Sequence, residues 1–310
     1  MSVTSAAVPM PRAAAERRPF GRIELALYAV TVFAWSTSWI ALRNQLGVVA
    51  PEVSLVWRFL LAAVLMFGWV AARGLPLAFP VRIHGRFALM GLLMFSTNFA
   101  LFYHGGQHLA SGLLSVVFSL TSVFNLLLGF AIDGTRPGPR ALAGALLGSA
   151  GVALLFWPEI HGQTFDPEAA LGLGLCAAGT LCFCLGNQVS GRVQAAGVPV
   201  LSANAWGMAY GTLFLTVAAV ARGATFTVEP NATYLVSLVW LSVVSSVVAF
   251  WAYLNLLGRI GAGRAGYATV LFPVFALIIS TLFEGYRWSL PALAGLALVA
   301  CGNVLVLRRR

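Results

Sequence analysis

The sequence predicts an all-α integral membrane protein in which ten transmembrane helices form two inverted five-helix repeats. Three observations lead to this prediction: the composition, an internal repeat and the distribution of arginine. Hydrophobic residues make up 60% of the 310 residues and charged residues only 9%, and the mean hydropathy is +0.88. Because roughly a quarter of the residues of a soluble domain are charged, this composition indicates a chain embedded in a lipid bilayer.

Ten apolar segments of membrane-spanning length can be delimited. Each is expected to be a helix, because backbone polar groups in lipid need partners within their own segment. The segments are also too long and too uniformly apolar to be strands of a membrane barrel. They cover residues 24–43, 52–72, 84–103, 108–132, 139–157, 168–190, 200–221, 232–257, 264–283 and 290–307.

One stretch of the chain occurs twice, 151 residues apart. An ungapped shift by 151 places Leu120 on Leu271 and the run Ala-Leu-Ala-Gly at 141–144 on the same four residues at 292–295. A match that continues through a turn and two apolar spans indicates a duplicated half. Since each half then contains an odd number of spans, the second half enters the membrane in the opposite orientation. Inverted repeats are typical of secondary transporters, whose substrate site lies near the bilayer midplane between the repeats.

The longest polar connection and the arginines divide and orient the chain. We interpret residues 1–23 as a cytoplasmic N-terminal tail, 24–157 as the first repeat, 158–167 as an outer linker and 168–307 as the second, inverted repeat. Fifteen arginines lie at span ends on the side of the N-terminus and three on the other side. This bias predicts that both termini are cytoplasmic. The alanine- and arginine-rich composition indicates a bacterial inner membrane.

Several other kinds of protein are excluded by composition and motif. The four cysteines lie in apolar spans without histidines at ligand spacing, so we expect neither a metal site nor a cofactor. No nucleophile lies near a base in the sequence, so we expect no catalytic residues and no enzyme. The net charge of +10 comes from scattered arginines rather than a basic patch, which argues against nucleic acid. The expected partners are a small-molecule substrate and the lipid bilayer, and the expected state is a monomer.

Short motifs in both halves follow an order and spacing found in one transporter superfamily. They are Trp-Ser-Thr-Ser-Trp at 35–39, Arg-Phe at 58–59, and Leu-Phe-Pro-Val at 271–274 with Glu284 closing the ninth span. With these motifs the chain resembles the EamA-type drug/metabolite transporter superfamily over nearly its whole length after the tail. The resemblance implies a ten-helix exporter of amino acids or other small metabolites, closest to the aromatic-amino-acid exporters.

A proline in the ninth span is the expected hinge. Proline removes one helix hydrogen bond and clashes with the preceding turn, so Pro273 should bend this span. The superfamily usually has a second proline at the matching position of the fourth span, where this chain has Ser122. We therefore expect the ninth span to bend more than the fourth. The other interpretation is a static kink that serves packing.

Polar and aromatic residues in the middle of several spans are expected to line a central cavity. Trp35 and Trp39 share one helix face, because they are four residues apart. The alternative for the hydroxyl residues is close helix packing, which small residues permit in membranes. The predicted substrate-binding residues are Trp35, Ser38, Trp39, Asn98, Ser119, Ser122, Asn187, Ser245, Tyr253 and Tyr267.

Charged residues inside the spans are scarce, and this bears on the substrate. No carboxylate lies at the middle of a span, which argues against a carboxylate proton relay. His104 and His108 are interpreted as interfacial loop histidines rather than as a proton site. Arg58 is the one arginine well inside a span. It is either a structural arginine that snorkels or pairs with a helix end, or an electrostatic handle for a carboxylate substrate.

The predicted function is export of small metabolites, chiefly amino acids including aromatic or large apolar ones, by alternating access through the central cavity. The alternative is an efflux carrier of drugs or nucleotide sugars from the same superfamily. A nucleotide sugar would need several cavity cations for its phosphates, whereas the spans offer Arg58 alone. A cationic drug would need a central acid, and none is present in the middle of a span.

Overall fold

The computed structural model describes residues 21–134, 136–157, 166–253, 255–256 and 268–307, and within these ranges the chain is helical and contains no strand. The helical segments are α1 (Arg22–Arg43), α2 (Pro51–Ala72), α3 (Val81–Gly105), α4 (Ser111–Ile132), α5 (Pro139–Leu155), α6 (Pro167–Ala195), α7 (Val200–Ala221), α8 (Ala232–Tyr253), α9 (Ala268–Glu284) and α10 (Leu290–Leu307). Seven of them, all except α5, α9 and α10, are long and apolar enough to cross a membrane, and the other three are apolar but shorter. The prediction of an all-helical chain with apolar, membrane-length helices is confirmed.

Local chemistry accounts for where the helices begin and end. Prolines occupy the first turn of α2, α5 and α6, where the missing N–H costs no helix hydrogen bond. The carboxylate of Asp166 accepts hydrogen bonds from the backbone N–H groups of Glu168 and Ala169 at the start of α6. Gly134, with φ of 66°, ends α4 in the left-handed conformation that glycine adopts most easily.

The surface of the bundle is apolar and many small polar side chains lie inside. Leu282 and Phe283 of α9 are 72% and 76% exposed. Ser54, Thr180 and Ser202 are fully buried. Large apolar side chains on the outside suit contact with lipid, while interior hydroxyl groups permit close helix contacts. This distribution is the one expected of a membrane-embedded bundle.

Helices α5 and α10 cross at four glycines, backbone against backbone. A Cβ atom added to Gly144 would lie 2.6 Å from the carbonyl oxygen of Gly302. A Cβ atom added to Gly151 would lie 2.6 Å from the carbonyl oxygen of Gly295. The two helices therefore run antiparallel. Because the 151-residue shift converts Gly144 into Gly295 and Gly151 into Gly302, it also exchanges the two contacts.

Other helix contacts in the first half also have an equivalent in the second half under the 151-residue shift. Helix α3 packs against α6 and α7, and its counterpart α8 packs against α1 and α2. Helix α1 packs against α9, as α4 packs against α6. Helix α2 packs on its own counterpart α7. The helices that the sequence relates by duplication thus have corresponding neighbours.

Helices α3 and α8 each contain a π-helical stretch, at Gly91–Thr97 and at Trp240–Val248. The 151-residue shift places the first stretch within the second. In a π turn the ladder of hydrogen bonds is displaced by one residue, and such turns are frequent at functional sites. The Ser246 hydroxyl donates to the carbonyl of Leu241, five residues earlier, at 2.9 Å. A π-helical stretch therefore occurs at equivalent positions in the two halves of the chain.

Helix α4 is interrupted at Ser119 and Leu120, whereas α9 continues without interruption through Pro273. The interruption lies in the span without the proline, and the expectation that the ninth span bends more than the fourth stays a prediction. The hydroxyl groups of Ser115, Ser119 and Thr121 each donate to the carbonyl three residues earlier, at 2.5 to 2.6 Å. Such bonds compete with the backbone ladder and bend helices. A cluster of hydroxyl residues explains the interruption.

Candidate functional site

A cavity of about 310 Å³ lies inside the bundle, between helices from both halves of the chain. This volume is at the lower end of the range of small-molecule sites, roughly 300–1,000 Å³. The cavity is lined by Trp35, Ser38, Trp39, Leu42, Arg58, Met94, Asn98, Phe99, Phe102, Phe118, Thr121, Ser122, Asn125, Phe183, Asn187, Ser245, Phe250, Tyr253 and Phe272.

Aromatic rings form a large part of the cavity wall and belong to nine of its nineteen described lining residues. The ring centroid of Trp35 lies 5.1 Å from that of Tyr253 and 6.3 Å from that of Phe272. The ring of Trp39 lies 5.3 Å from Phe102 and 6.3 Å from Phe272. Aromatic pairs at these separations contribute about 0.5–1.5 kcal/mol each beyond their buried area. Phe272 thus connects both tryptophans of α1 to α9, and the wall offers ring surface to the apolar part of a ligand.

Neutral polar groups interrupt the aromatic wall. Asn98 follows the π-helical stretch of α3, donates to the carbonyl of Met94 at 3.3 Å, and has no described partner for its side-chain oxygen. The indole N–H of Trp39 is also buried without a described acceptor. Ser122 of α4 donates to the side-chain oxygen of Asn303 in α10. The described lining residues therefore carry both donors and acceptors whose hydrogen-bonding capacity is incompletely used.

Arg58 of α2 is the single charged residue among the described lining residues. It is 3% exposed, so it does not snorkel to the membrane surface. Its guanidinium carbon lies 4.5 Å from the ring centroid of Phe99 and 5.2 Å from that of Phe59. One guanidinium nitrogen donates to the hydroxyl of Ser246 at 3.4 Å. The charge is thus held among rings and neutral hydroxyl groups.

The structure brings most of the predicted substrate-binding residues to this one cavity. Ser119 is the exception among the described residues, because it is 1% exposed and its hydroxyl is used within α4. Tyr267 lies outside the described residues. The lining residues that belong to the predicted set are Trp35, Ser38, Trp39, Asn98, Ser122, Asn187, Ser245 and Tyr253.

The phenylalanines of the wall were not predicted from the sequence. Phe272, Phe118 and Phe250 face the cavity, whereas Phe283 is exposed on the bundle surface. Both groups occur in uniformly apolar spans, so hydrophobic periodicity does not distinguish them. The Leu-Phe-Pro-Val run at 271–274 was the one available signal for Phe272.

A buried carboxylate joins the two halves at one end of the bundle. Glu52, at the start of α2, is 5% exposed. One of its oxygens is 2.9 Å from a ring nitrogen of His104 and 2.9 Å from a guanidinium nitrogen of Arg222, just after α7. From the sequence, His104 is interpreted as an interfacial histidine, and the structure in addition pairs it with the carboxylate of Glu52. His108 lies 3.5 Å from the exposed carboxylate of Glu168.

A second carboxylate makes a similar connection at the same end. Glu284, at the end of α9, accepts hydrogen bonds from the backbone N–H and the hydroxyl of Ser111, at 3.0 and 2.6 Å. It thereby caps α4 from the other half of the chain. Arg43 lies 3.7 Å from the other oxygen of Glu284 and donates to the carbonyl of Gly106. Each of these two carboxylates connects the two halves of the chain at this end of the bundle, which we name the Glu52–Glu284 end.

Comparison with known proteins places this bundle in a family. The sequence profile of the EamA-like transporter family matches residues 22–157 and again residues 170–308. The chain belongs to the EamA-like transporter family. The two matches cover both halves of the chain that the internal repeat defines. An EamA-like chain is a membrane transporter by family, which agrees with the absence of a predicted catalytic site.

Two curated relatives of this EamA-like protein come from Escherichia coli (strain K12). A "Probable amino-acid metabolite efflux pump" is 26% identical over 300 residues, covering 92% of this chain and 95% of the relative. An "Uncharacterized inner membrane transporter YedA" is 24% identical over 283 residues, covering 91% and 89%. A crystal structure of a protein 19% identical in sequence matches with a TM-score of 0.66 over 91% of this chain and 95% of that chain. This last similarity supports the fold.

Pro273 provides a test of helix bending in this EamA-like transporter. We predict that Pro273→Ala slows transport severalfold while the protein remains folded, because alanine restores a backbone donor and stiffens α9 beside Phe272. Initial exchange rates in proteoliposomes measure the effect, together with elution of the purified protein on size exclusion. The matched control is Pro139→Ala at the start of α5, where proline costs no hydrogen bond. An exchange rate equal to that of the control would leave Pro273 with a packing role.

Proposed function

We propose that this protein exports small metabolites, chiefly amino acids including aromatic and large apolar ones, by alternating access. The observation that carries the proposal is the central cavity, in which aromatic rings and neutral polar groups from both halves of the chain surround a space suited to a small molecule. A cavity lined mainly by rings and neutral polar groups, with the single guanidinium of Arg58, suits a zwitterion, since its hydroxyl, amide and indole groups can bond both ends of the molecule. The relative named as an amino-acid metabolite efflux pump supports the same substrate class.

Alternating access would follow from ten membrane-spanning helices arranged as inverted repeats. Three features support this arrangement: the exchanged glycine contacts between the antiparallel helices α5 and α10, the corresponding π-helical stretches, and the odd number of spans in each half. We further propose that both termini face the cytoplasm in an inner membrane, as the arginine distribution indicates. The Glu52–Glu284 end then faces outward.

The residues that line the cavity also favour an amino acid over the alternative substrates. A nucleotide sugar carries two phosphates, which several arginines or lysines would have to meet, and the described lining offers Arg58 alone. A lipophilic cation would be stabilised by a carboxylate, and the described lining holds none. An amino acid matches both the small volume and the mixture of rings with neutral polar groups.

Competition for transport tests the proposed substrates. The assay uses liposomes loaded with labelled phenylalanine. Trp35→Ala should weaken competition by large amino acids about tenfold, because the ring surface that the indole offers to a large side chain is lost. Threonine should be affected less. Asn187→Ala should weaken all amino acids alike, since its amide meets the part of the substrate that they share. The control is Phe283→Ala, which removes a ring from the exposed surface. If sugars or organic cations compete and no amino acid does, the proposed function is wrong.

A further inference from the structure

We propose that Arg58 binds the carboxylate of the substrate, and that the cavity therefore selects apolar and aromatic monocarboxylic acids whether or not they carry an amino group. This inference rests on the proposed transport function, and it names the chemical group that the site recognises. It extends the substrate class from amino acids to their deaminated and N-acylated counterparts.

The first argument is the state of the Arg58 charge. Among the described residues no carboxylate lies within ion-pair distance of its guanidinium. The groups in contact with it are the hydroxyl of Ser246 and the rings of Phe59 and Phe99. The hydroxyl of Tyr103, which donates to Gln45, lies nearby. The Nε–H of Arg58 has no hydrogen-bond acceptor among the described residues. The guanidinium of Arg58, which is 3% exposed, is thus buried without a counter-ion in the described part of the chain.

These neutral contacts do not compensate the buried charge. Removing an ion from water is costly even after the surroundings relax, and cation–π contacts with two rings recover only part of that cost. A carboxylate entering the cavity would supply the missing counter-charge and the acceptors that the guanidinium lacks. Arginine binds carboxylates through two parallel N–H bonds, which also orients the ligand. The indole N–H of Trp39, buried without a described acceptor, offers a further donor on the same wall.

The second argument concerns the amino group. The cavity lining contains no described carboxylate that could pair with an ammonium. Glu52 lies six residues before Arg58, about 9 Å away along α2, and its oxygen is already bonded to His104 and Arg222. The acceptors that the described lining residues carry are neutral, among them the side-chain oxygen of Asn98, which has no described partner. The carboxylate of the substrate therefore contributes to binding through a charge pair, whereas the ammonium forms no charge pair and is not required for binding.

The test compares ligands that differ in one charged group. Purified wild-type protein is titrated by tryptophan fluorescence with phenylalanine, 3-phenylpropanoate, phenylethylamine, N-acetylphenylalanine and N-acetylphenylalaninamide. We expect 3-phenylpropanoate and N-acetylphenylalanine to bind within a few-fold of phenylalanine. We expect the amine and the amide, which lack a carboxylate, to bind about 10- to 100-fold more weakly than the acids, the range for a lost hydrogen-bonded charge.

Variants assign the selectivity to Arg58. Arg58→Gln should bring the ratio between N-acetylphenylalanine and its amide close to one. Arg58→Lys should give an intermediate ratio, because lysine keeps the charge and loses the planar fork. Arg86→Gln, an exposed arginine of α3 outside the cavity, is the matched control and should keep the wild-type ratio. If Arg58→Gln does not accumulate as folded protein, the ratios of the wild type and Arg58→Lys decide the question.

The outcomes separate this inference from the proposed function. Equal binding of the acid and the amide by the wild type, or an unchanged ratio in the Arg58 variants, overturns the inference. If amino acids still bind in that case, the proposed function stands. If 3-phenylpropanoate binds in an Arg58-dependent way and no amino acid does, the inference stands and the amino-acid function fails. If no carboxylate binds at all, the inference is overturned.

Discussion

Replacing Gly302 with leucine is expected to prevent accumulation of folded protein. A Cβ atom at this position would lie 2.5 Å from the carbonyl oxygen of Gly144 and 2.5 Å from the backbone nitrogen of Gly148. Both atoms belong to the backbone of α5, so no side chain can rotate away to make room. Overpacking in a well-packed interior costs about 1–3 kcal/mol and occasionally more. Here the two helices must separate along their whole crossing, so we expect the upper end of this range or beyond.

The measurement is the monodisperse fraction on size exclusion after solubilisation, together with the thermal unfolding midpoint. Gly302→Ala should show a smaller loss, and Gly174→Leu provides the control, because a Cβ atom at Gly174 of α6 would meet nothing within 4 Å. Equal yields and midpoints for the leucine variants at positions 302 and 174 would contradict the backbone-contact account of the α5–α10 crossing.

Replacing Glu52 with glutamine should open the Glu52–Glu284 end. The carboxylate of Glu52 is hydrogen-bonded to the His104 ring and to the Arg222 guanidinium, and of these two groups only Arg222 is largely exposed, at 63%. Glutamine keeps the shape and removes the charge, and charge-assisted bonds are roughly twice as strong as neutral ones. A loss of about 1.5 kcal/mol across this connection would raise the open population roughly tenfold.

Accessibility of the cavity from outside the cell measures this opening. Asn187→Cys, in a chain whose four native cysteines are replaced, provides the thiol, and a membrane-impermeant reagent is added to whole cells. We expect labelling about tenfold faster with Glu52→Gln, and no acceleration with Glu168→Gln, an exposed carboxylate that is paired with His108. Acceleration only after permeabilisation would place this end in the cytoplasm and reverse the proposed orientation. Equal rates would remove Glu52 from the control of access.

Much of the fold could be predicted because a bilayer imposes strict rules on composition. Each described helical segment overlaps one predicted span, since an apolar run of sufficient length has few alternatives to a helix in lipid. The prolines at the starts of α2, α5 and α6 and the glycine after α4 also mark helix ends from the sequence alone. The interruption of α4 was less predictable, because it depends on which carbonyl each hydroxyl of Ser115, Ser119 and Thr121 selects.

The candidate site was predicted in part, for a similar reason. Polar residues such as Asn98 and Asn187 are conspicuous in the middle of apolar spans, because lipid would not accept them, so their inward position follows from their chemistry. Phenylalanine is stable against either lipid or protein. Hydrophobicity alone therefore does not distinguish Phe272, which joins the two tryptophans of α1, from Phe283 on the surface.

The order of amino acids alone thus specifies a duplicated, all-helical membrane chain, the family to which it belongs and the polar residues that must avoid lipid. The tertiary structure decides which groups from distant spans meet. It places Arg58 among rings with no counter-ion from the described residues, connects Glu52 to Arg222, and removes Ser119 from the cavity wall. The physical reason is that pairing energies of charges and rings depend on distances between separate helices. Those distances are set by the packing of backbones, as at Gly144 and Gly302, and not by any pattern within a single span.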